Sequence, residues 1–446
     1  MTDFETLSAD WLTADEALRR ILAAANPLAT EMISLDDALG RALAEDLRSP
    51  VALPPWKSSA MDGYAVRGDD VRGATADDPV SLPVAGHILA GPSGGLTLQA
   101  GTAIRIMTGG AVPEGADSVI RVEHTDREAA STGTVLVRDD ADIKRHVRPG
   151  GLDCAAGDVM LENGVSLTPG RIGVAAATGA SEIEVGGRPT VAILANGDEL
   201  AALGEFERVL EGSAIPESNS HTIRGASLAA GCIPLSLGIA RDDVDDLHDH
   251  VERAMDADAL VTIGGASMGE GDLIKRVLLD LGYQLDFWRV KLRPGSPFSF
   301  GHIPRDGADP LPVFGLPGNP ASAFVTFELF VRPFLLKLAG HSAVHRFVLE
   351  ATAGEDLSSA RDLTHFLRVT VSEDGGALTV NLTGPQGSGL MDSLGKAEGL
   401  AVVPEGVEKL RAGERVRVIL LDDRPAWGSR ASFMAARALS ADADIG

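Results

Sequence analysis

The chain has 446 residues, of which 44% are apolar and 23% charged, so it is globular and long enough for about three domains. It carries 39 Lys and Arg against 64 Asp and Glu, a formal net charge of −25. This charge argues against a bulk nucleic-acid binder or a binder of anionic membranes, because both need a basic surface. An anionic ligand would need a local basic site.

The net charge, the cysteine usage and the apolar segments together predict a cytoplasmic protein with no nucleic-acid and no membrane partner. Cys154 and Cys232 lie far apart, so neither a zinc site nor a disulfide scaffold is expected. The acidic start lacks the apolar segment of a signal peptide. The most apolar stretch, 321–339, contains charged residues and a proline, which is typical of a buried helix.

The first half of the chain predicts helices followed by a small β domain. Apolar spacing favours one helix that ends at Asn26-Pro27 and a second over Ser34 to Leu47. Residues 151–188 hold one helical run, Arg171 to Thr178, expected to pack on the N-terminal helices. Between these segments, short alternating runs predict strands at Leu82–Ile88, Thr102–Met107, Ser118–Val122 and Thr134–Val137.

From residue 189 to 338, strand-like runs alternate with amphipathic helices, which predicts a parallel sheet covered by helices. The predicted strands are Thr190–Ala195, Ile233–Ile239, Leu260–Ile263 and Pro312–Phe314. The predicted helices are Ser220–Ala230, Val244–Met255, Asp272–Leu281 and Pro320–Leu338. Ligands of such folds bind beyond the carboxyl ends of the strands.

The last part of the chain returns to a β pattern and ends in a tail. The predicted strands are Phe366–Val371, Ala377–Leu382, Leu400–Val403 and Val416–Leu421. The expected domains are 1–50 together with 151–188, then 51–150, 189–340 and 341–425, with a loosely held tail at 426–446.

Three glycine-containing loops follow predicted strands and precede helices, at Ala195–Leu200, Gly264–Asp272 and Gly315–Pro320. Such a junction offers backbone N–H groups and the positive end of a helix dipole to an anion. In the third loop Asn319 fits an N-cap and Pro320 the first helical position. Each loop taken alone is more often a simple turn.

Charged residues near these loops predict an anion site with a metal. If the segment from Trp288 to Gly295 is extended, Arg289, Lys291 and Arg293 lie on one face, either as an anion site or as a charged edge strand. The carboxylates Glu199, Asp242 and Asp272 all follow strands and, clustered there, would hold Mg²⁺. A turn for Asp242 and an N-cap for Asp272 remain equally open.

Together the motifs resemble the molybdopterin molybdenumtransferase family, which includes the C-terminal domain of gephyrin. The matching segments occur in the family's order: SAMDGYAV (59–66), RIMTGGAVPEGAD (105–117), RPGGLD (148–153), NGDEL (196–200), RDD (241–243), GGASMGEGD (264–272), FWRVKLRPGSPFSFG (287–301) and GLPGNPASA (315–323).

The resemblance implies a multidomain α/β plus β fold in a dimeric, elongated subunit. Its parts would be a three-layer α/β molybdopterin-binding domain, a small β domain, a discontinuous helical and β linking domain, and a C-terminal β-barrel-like domain. It also implies insertion of molybdate into adenylylated molybdopterin, with Mg²⁺ and release of AMP. The cleft would lie between the α/β domain of one subunit and the SAMDGYA-bearing domain of the other.

The resemblance assigns site residues by position. Those implied for catalysis are Asp62, Asp153, Glu199, Asp242 and Asp272, of which Glu199, Asp242 and Asp272 would bind metal. Those implied for substrate binding are Thr108, Arg148, Gly264, Gly265, Ser267, Arg289, Arg293, Ser296, Pro317, Gly318, Asn319 and Pro320. The chain departs from the family at Arg289 and Arg293, where Lys is frequent, and at Ser296, where a further Lys can occur.

Other interpretations compete with this one. The adenylyltransferase that supplies adenylylated molybdopterin has a similar α/β domain, but it is a short protein without the SAMDGYA segment. A non-catalytic scaffold dimer and a tungstate-preferring paralogue are the alternatives within the fold. The adenylyltransferase and molybdoenzymes are possible partners.

Overall fold

The computed structural model describes residues 11–127, 133–264, 273–374 and 377–421. Its helices are Ala14–Ala23 (α1), Pro169–Ala177 (α2), Phe206–Leu210 (α3), Asn219–Ala229 (α4), Val244–Glu252 (α5), Leu273–Asp280 (α6), Pro320–Thr326 (α7), Arg332–Leu338 (α8) and Met391–Gly395 (α9). A π-helical turn, Phe327–Val331, joins α7 to α8. None of the helices in the described ranges has the length and apolar character needed to cross a membrane.

Strands account for most of the other regular structure. Before residue 189 they are Thr30–Ser34 (β1), Leu47–Arg48 (β2), Ser58–Ser59 (β3), Gly63–Val66 (β4), Val80–Ile88 (β5), Ala103–Ile106 (β6), Ser118–Arg121 (β7), Thr134–Val137 (β8), Val147–Arg148 (β9), Val159–Leu161 (β10) and Glu182–Gly186 (β11). From residue 189 on they are Thr190–Asn196 (β12), Leu200–Ala201 (β13), Ile215–Pro216 (β14), Ile233–Ala240 (β15), Ala259–Ile263 (β16), Gln284–Trp288 (β17), Leu292–Arg293 (β18), Ser299–Arg305 (β19), Ala308–Leu316 (β20), Val348–Ala353 (β21), Leu357–Ser358 (β22), Thr364–Asp374 (β23), Ala377–Leu382 (β24), Gly399–Val403 (β25), Lys409–Leu410 (β26) and Arg415–Leu420 (β27).

The central α/β layer is a six-stranded sheet in the order β15-β12-β16-β20-β19-β17. The first four strands are parallel, while β19 is antiparallel to both of its neighbours. On β12, Val191 and Ile193 pack with residues of α4 and α7, and Ala192 and Leu194 pack with residues of α5 and α6. Helices therefore cover both faces, which confirms the predicted three-layer arrangement.

Between residues 11 and 50, the described part of the N-terminal segment, the structure has one α-helix where two are predicted. α1 confirms the first, but the predicted helix over Ser34 to Leu47 is wrong. β1 pairs with β11 up to Ser34, a short 3₁₀ turn follows at Leu35–Asp37, and Gly40 adopts φ +78°. Leu35, Ala38 and Leu43 still pack in one core with β11, so their helical spacing reflects burial along an irregular chain.

The β-rich parts form two further sheets. β7-β4-β6-β5-β8 is a five-stranded sheet that includes the four strands predicted between 82 and 137. β23-β24-β21-β27-β25 closes on itself through the β23–β25 pairing and gives a five-stranded barrel, as expected for the C-terminal part. The division into domains at 50, 150, 188, 340 and 425 stays a prediction, and the tail lies outside the described residues.

The core of the α/β layer yields a stability prediction. Phe314 is fully buried, and its ring centroid lies 5.0 Å from that of Phe300 and 5.1 Å from that of Phe334. We expect Phe314→Ala to lower the free energy of unfolding by about 3–5 kcal/mol in denaturant titration, because it leaves a cavity. The matched control is Phe347→Ala, whose side chain is 72% exposed. Equal losses in both variants would contradict the assigned core.

Candidate active site

Four parallel strands of the α/β sheet end at one edge, here called the carboxyl edge. The last residues of β12, β15, β16 and β20 are Asn196, Ala240, Ile263 and Leu316. The loops that leave this edge include the three glycine-containing loops and Asp242. The parallel register of these strands places the starts of the three loops at one edge of the sheet.

Two of the loops touch each other at the centre of the edge. Gly264 has φ +96°, and a Cβ there would lie 3.0 Å from the backbone oxygen of Asn196, so only glycine fits. The Asn196 side-chain Oδ1 is buried and accepts no hydrogen bond from any described residue. A buried amide oxygen without a donor is uncommon and suits a cation.

The carboxylates that follow β12 and β15 lie in neighbouring loops but make different contacts. Asp198 Oδ1 accepts a hydrogen bond from the backbone N–H of Asp242, at 3.2 Å. The carboxylate of Glu199 folds back over Gly197, where a Cβ would lie 2.5 Å from Glu199 Oε2. Asp198 is thus a site residue that the sequence reasoning overlooked, although its motif had been recognised.

The predicted metal ligands Glu199 and Asp242 lie within the described residues, whereas Asp272 does not. Within the described ranges, neither Glu199 nor Asp242 belongs to a group of three or more His, Cys, Asp or Glu residues whose ligand atoms approach within 4.8 Å. Of the predicted residues, Gly265, Ser267 and Asp272 lie outside the described part. The carboxylate trio therefore stays a prediction.

Hydrogen bonds hold the third loop, Gly315–Pro320, and the start of α7 from two sides. Asn319 is the N-cap residue of α7 and Pro320 its first residue, as predicted. The Asn219 side chain donates from Nδ2 to the backbone oxygen of Gly318 at 2.7 Å. From the barrel side, the Ser388 carbonyl accepts from the N–H of Ala321 at 2.9 Å. Pro317 is buried, so the loop has little freedom.

A cavity of about 880 Å³ opens beside the first loop at the carboxyl edge. Its charged lining comprises Asp198, Glu205, Glu217 and Arg241, together with the basic side chains Arg208, His221 and Arg224. The sequence reasoning overlooked these three because the segment from 200 to 224 carries no motif. The cavity has the size of a small-molecule site and places cations near the strand ends.

The basic segment also reaches the carboxyl edge, but it is not a continuous strand. β17 ends at Trp288, and Arg289 adopts φ +71°, with its guanidinium 4.0 Å from the Trp288 ring centroid and 5.4 Å from that of Trp11. Lys291 pairs with Glu405 at 3.4 Å. The prediction of three cations on one extended face is wrong, because the left-handed residue turns Arg289 onto the tryptophans.

The end of that segment lies against the barrel. Arg293 is exposed and pairs through its backbone with His365, in the parallel β18–β23 pairing. The hydroxyl of Ser296 donates to the Leu292 carbonyl at 2.5 Å. Arg289, Arg293 and Ser296 remain predicted substrate contacts.

Asp62 and Thr108, from the segments SAMDGYAV (59–66) and RIMTGGAVPEGAD (105–117), lie together at an exposed surface of the small β sheet. Asp62 Oδ1 accepts from the Thr108 backbone N–H at 2.7 Å and from its hydroxyl at 2.8 Å. These bonds, the backbone one first, lower the pKa of Asp62 below its usual value. Arg148 is exposed as well, and it lies beside the Asp62 segment because its strand, β9, pairs with β3. Asp153 is exposed in the neighbouring loop, where its N–H donates to Leu53.

A buried carboxylate supports this surface. Asp142 is fully buried and accepts from the Arg121 side chain and backbone N–H at 3.1 and 3.0 Å. His146 Nε2 lies 3.0 Å from Asp142, and the His146 carbonyl accepts the N–H of Ala60 in the SAMDGYA segment. Burial alone would raise the pKa of Asp142, but these hydrogen bonds lower it to about 2.

Comparison with known protein families matches nearly all of the described chain. Residues 12–179 match the MoeA N-terminal region (domain I and II), 192–337 match a probable molybdopterin binding domain, and 350–421 match the MoeA C-terminal region (domain IV).

Relatives and solved structures agree with that match. The chain is 38% identical to molybdopterin molybdenumtransferase 2 of Mycobacterium tuberculosis over 86% of this chain and 94% of that protein. It is 33% identical to the molybdopterin molybdenumtransferase of Bacillus subtilis over 92% and 94%. The crystal structure of the molybdopterin biosynthesis moeA protein from Pyrococcus horikoshii OT3 superposes with a TM-score of 0.79 at 28% identity, covering 92% of this chain and 100% of that one.

The Asp142 network yields a prediction about acid stability. Its folded pKa of about 2 lies below the ordinary 3.8, so the stabilisation is complete above pH 4 and is lost as the pH falls from about 4 to 2. We expect Asp142→Asn to lose about 2 kcal/mol of unfolding free energy at pH 7 and to show a flatter decline below pH 4. Denaturant titrations at several pH values measure both effects.

Asp139→Asn is the control, because that nearby side chain is about half exposed. The assigned role of Asp142 would be contradicted if Asp142→Asn kept the wild-type dependence of stability on pH, or if Asp139→Asn lost as much unfolding free energy.

Proposed function

The chain belongs to the molybdopterin molybdenumtransferase family, transferases of molybdenum cofactor biosynthesis, and we propose that it inserts molybdate into adenylylated molybdopterin with release of AMP. The single observation that carries the proposal is the convergence of Asn196, Asp198, Asp242 and the loop ending in Pro320 at one sheet edge. That edge is where folds of this class bind their ligands.

The residues at this edge suit an anionic substrate. The cavity of about 880 Å³ is large enough for much of a nucleotide-bearing pterin. Arg208, His221 and Arg224 line it and would attract the phosphoanhydride in a chain that is acidic overall. The clamped loop from Pro317 to Pro320 would hold one side of the substrate without reorganising.

The same edge fits Mg²⁺. Its donors would be the unsatisfied Oδ1 of Asn196 and the carboxylates of Asp198 and Asp242, which are the hard oxygen ligands that this ion prefers. Glu199 and Asp272 are the further ligands that the sequence predicts. When bound, Mg²⁺ would neutralise charge on the phosphoanhydride. The backbone N–H of Asp242 also donates to Asp198 Oδ1, which fixes the distance between the loops that follow β12 and β15.

The surface that carries Asp62 and Thr108 would complete the cleft from a second subunit. Both side chains are exposed, and their hydrogen bonds stay within the small β sheet. Two hydrogen-bond donors hold the ionised Asp62 carboxylate in one position. It can act on a substrate only if the surface of another subunit lies against it. We therefore propose a homodimer with two shared clefts, acting in the cytoplasm, to which an adenylyltransferase can deliver substrate.

The first test replaces Asp242 by Asn. We expect AMP release from adenylylated molybdopterin with Mg²⁺ and molybdate to fall at least about 100-fold, because a ligand of the charge-neutralising ion is lost. The matched control is Asp245→Asn, an exposed carboxylate on the first turn of α5.

Unaltered AMP release in Asp242→Asn would rule out its role. Absence of oxyanion-dependent release in the wild-type protein would favour the scaffold, and faster release with tungstate would favour the tungstate-preferring alternative.

The second test asks whether the cleft is shared between subunits. Asp62→Asn and Asp242→Asn should each be inactive, while heterodimers formed by refolding an equal mixture should keep one intact cleft. The mixture should then regain about a quarter of the wild-type rate, since half the dimers are mixed and half their clefts are intact.

Light scattering should first give twice the mass of one chain. A monomer, or a mixture that stays inactive although mixed dimers form, would contradict the shared cleft.

A further inference from the structure

The backbone around Asp62 is held from two sides by residues that lie far from it in the sequence. On one side, the carbonyl of His146 accepts the N–H of Ala60 at 2.8 Å. On the other side, the carbonyl of Asp62 accepts the N–H of Val122 at 3.2 Å. The position of this exposed carboxylate therefore depends on where residues 122 and 146 lie, in addition to its own bonds to Thr108.

Both sides are tied to the same buried carboxylate, Asp142. His146 Nε2 lies 3.0 Å from Asp142 Oδ1. The N–H of Arg121, which directly precedes Val122, donates to Oδ2 at 3.0 Å. Because Asp142 is fully buried, these bonds are stronger than they would be in water. A single carboxylate thus sets the positions of both groups that hold the Asp62 backbone.

The other groups that face Asp142 leave its contact with His146 in place. The Nε of Arg121 donates to Oδ2 at 3.1 Å, and His124 Nδ1 lies 3.0 Å from the same oxygen. Oδ1 lies 3.0 Å from the His146 ring and 3.3 Å from the Nε of Arg121. The imidazole of His146 is therefore the nearest of these groups to Oδ1.

The backbone of His146 makes this ring contact important. Its φ is +63°, a left-handed conformation that is uncommon outside glycine, although histidine adopts it more often than most residues. The direction of the His146 carbonyl follows from this conformation, and the contact of the ring with Asp142 stabilises it. Loss of the ring would loosen the carbonyl that holds Ala60, while Asp62 and Thr108 themselves stay unaltered.

We propose that His146 is a positioning residue for Asp62, an inference that rests on the reaction proposed above. It acts through its neighbours: the ring is fixed by Asp142, the ring fixes the backbone of residue 146, and that backbone fixes the segment of Asp62. A catalytic group that is displaced by about 1 Å loses much of its effect, because the transition state tolerates only a narrow geometry.

The first measurement compares the kinetics of AMP release in His146→Gly and His146→Gln. Glycine keeps the left-handed backbone without the ring, whereas the glutamine amide can still donate to Asp142. We expect kcat to fall at least about tenfold in His146→Gly with KM within about twofold of wild type, since a misplaced group that acts in the transition state lowers kcat. His146→Gln should restore kcat to within about threefold of wild type.

The matched control is Lys144→Gly, which should keep the wild-type kcat. Lys144 lies in the same segment and has φ +61°, and its ammonium group is exposed. If His146→Gly does not fold, His146→Asn takes its place, because asparagine adopts a positive φ and its side chain is shorter than the imidazole.

The second measurement does not depend on catalysis. The bonds from Thr108, first the one from its N–H, lower the pKa of Asp62, and the charge of Arg105 lowers it further. We expect carboxyl-carbon NMR titration to show that the pKa of Asp62 rises towards its ordinary value in His146→Gly, because the displaced carboxylate loses the Thr108 bonds. In Lys144→Gly the pKa should stay low.

Three results would each overturn the proposal: an unchanged kcat in His146→Gly, an equal loss in Lys144→Gly, or an Asp62 pKa in His146→Gly that stays as low as in the wild type. A wild-type protein that releases no AMP would instead contradict the proposed function, and the NMR titration would still show whether His146 positions Asp62.

Discussion

Burial of the central strands on both faces is the constraint on which the rest of the structure depends. Residues 191–195 of β12 are almost wholly inaccessible, as is all of β16, because helices pack on each side. Polar groups can then lie only at the two ends of the strands, where the backbone leaves the sheet. The cavity at the carboxyl edge occupies one of these ends, where Asp198 lines it together with Arg208 and Arg224.

Several of the carboxylates that make the chain acidic have a structural role. Asp142 and Asp198 accept backbone N–H groups in loops, and Glu217 does the same at the start of α4, where it accepts from Ser220. Such carboxylates fix loop geometry and add charge without creating an anion site. The cations are fewer, and Arg208, Arg224 and Arg241 line the cavity at the carboxyl edge, which would reconcile a net charge of −25 with the proposed anionic substrate.

Local periodicity in the sequence predicts the four parallel strands and the helices of the α/β layer, since strands buried on both faces and amphipathic helices carry strong patterns. It does not predict β17 or the antiparallel β19. It fails where long-range pairing sets the backbone, as for the segment from Ser34 to Leu47, whose helical spacing was satisfied by strand pairing and a turn. It fails again at Arg289, because a positive φ in a non-glycine residue leaves no local signature.

The motifs predict which residues belong to the candidate site, but not the contacts that those residues make. Asn196 and Asp198 stood inside a recognised motif, yet only the register of β12 with β15 and β16 shows what they face. Asp142 had no motif, because a buried carboxylate is specified by the groups around it, and these come from residues 121 and 146. Charge networks of this kind are properties of the fold.

The C-terminal barrel takes part in the candidate site through backbone contacts. Ser388 accepts the first free N–H of α7, and the turn that contains it is held by Arg368, a fully buried side chain that donates to Gly387 and Ser393. Within the described residues Arg368 has no carboxylate partner and its buried Nη1 makes no hydrogen bond, so the bonds from Nε and Nη2 that hold this turn are costly to lose. The barrel thereby fixes the loop that ends in Pro320, and the geometry of the carboxyl edge depends on a domain that contributes none of its acidic groups.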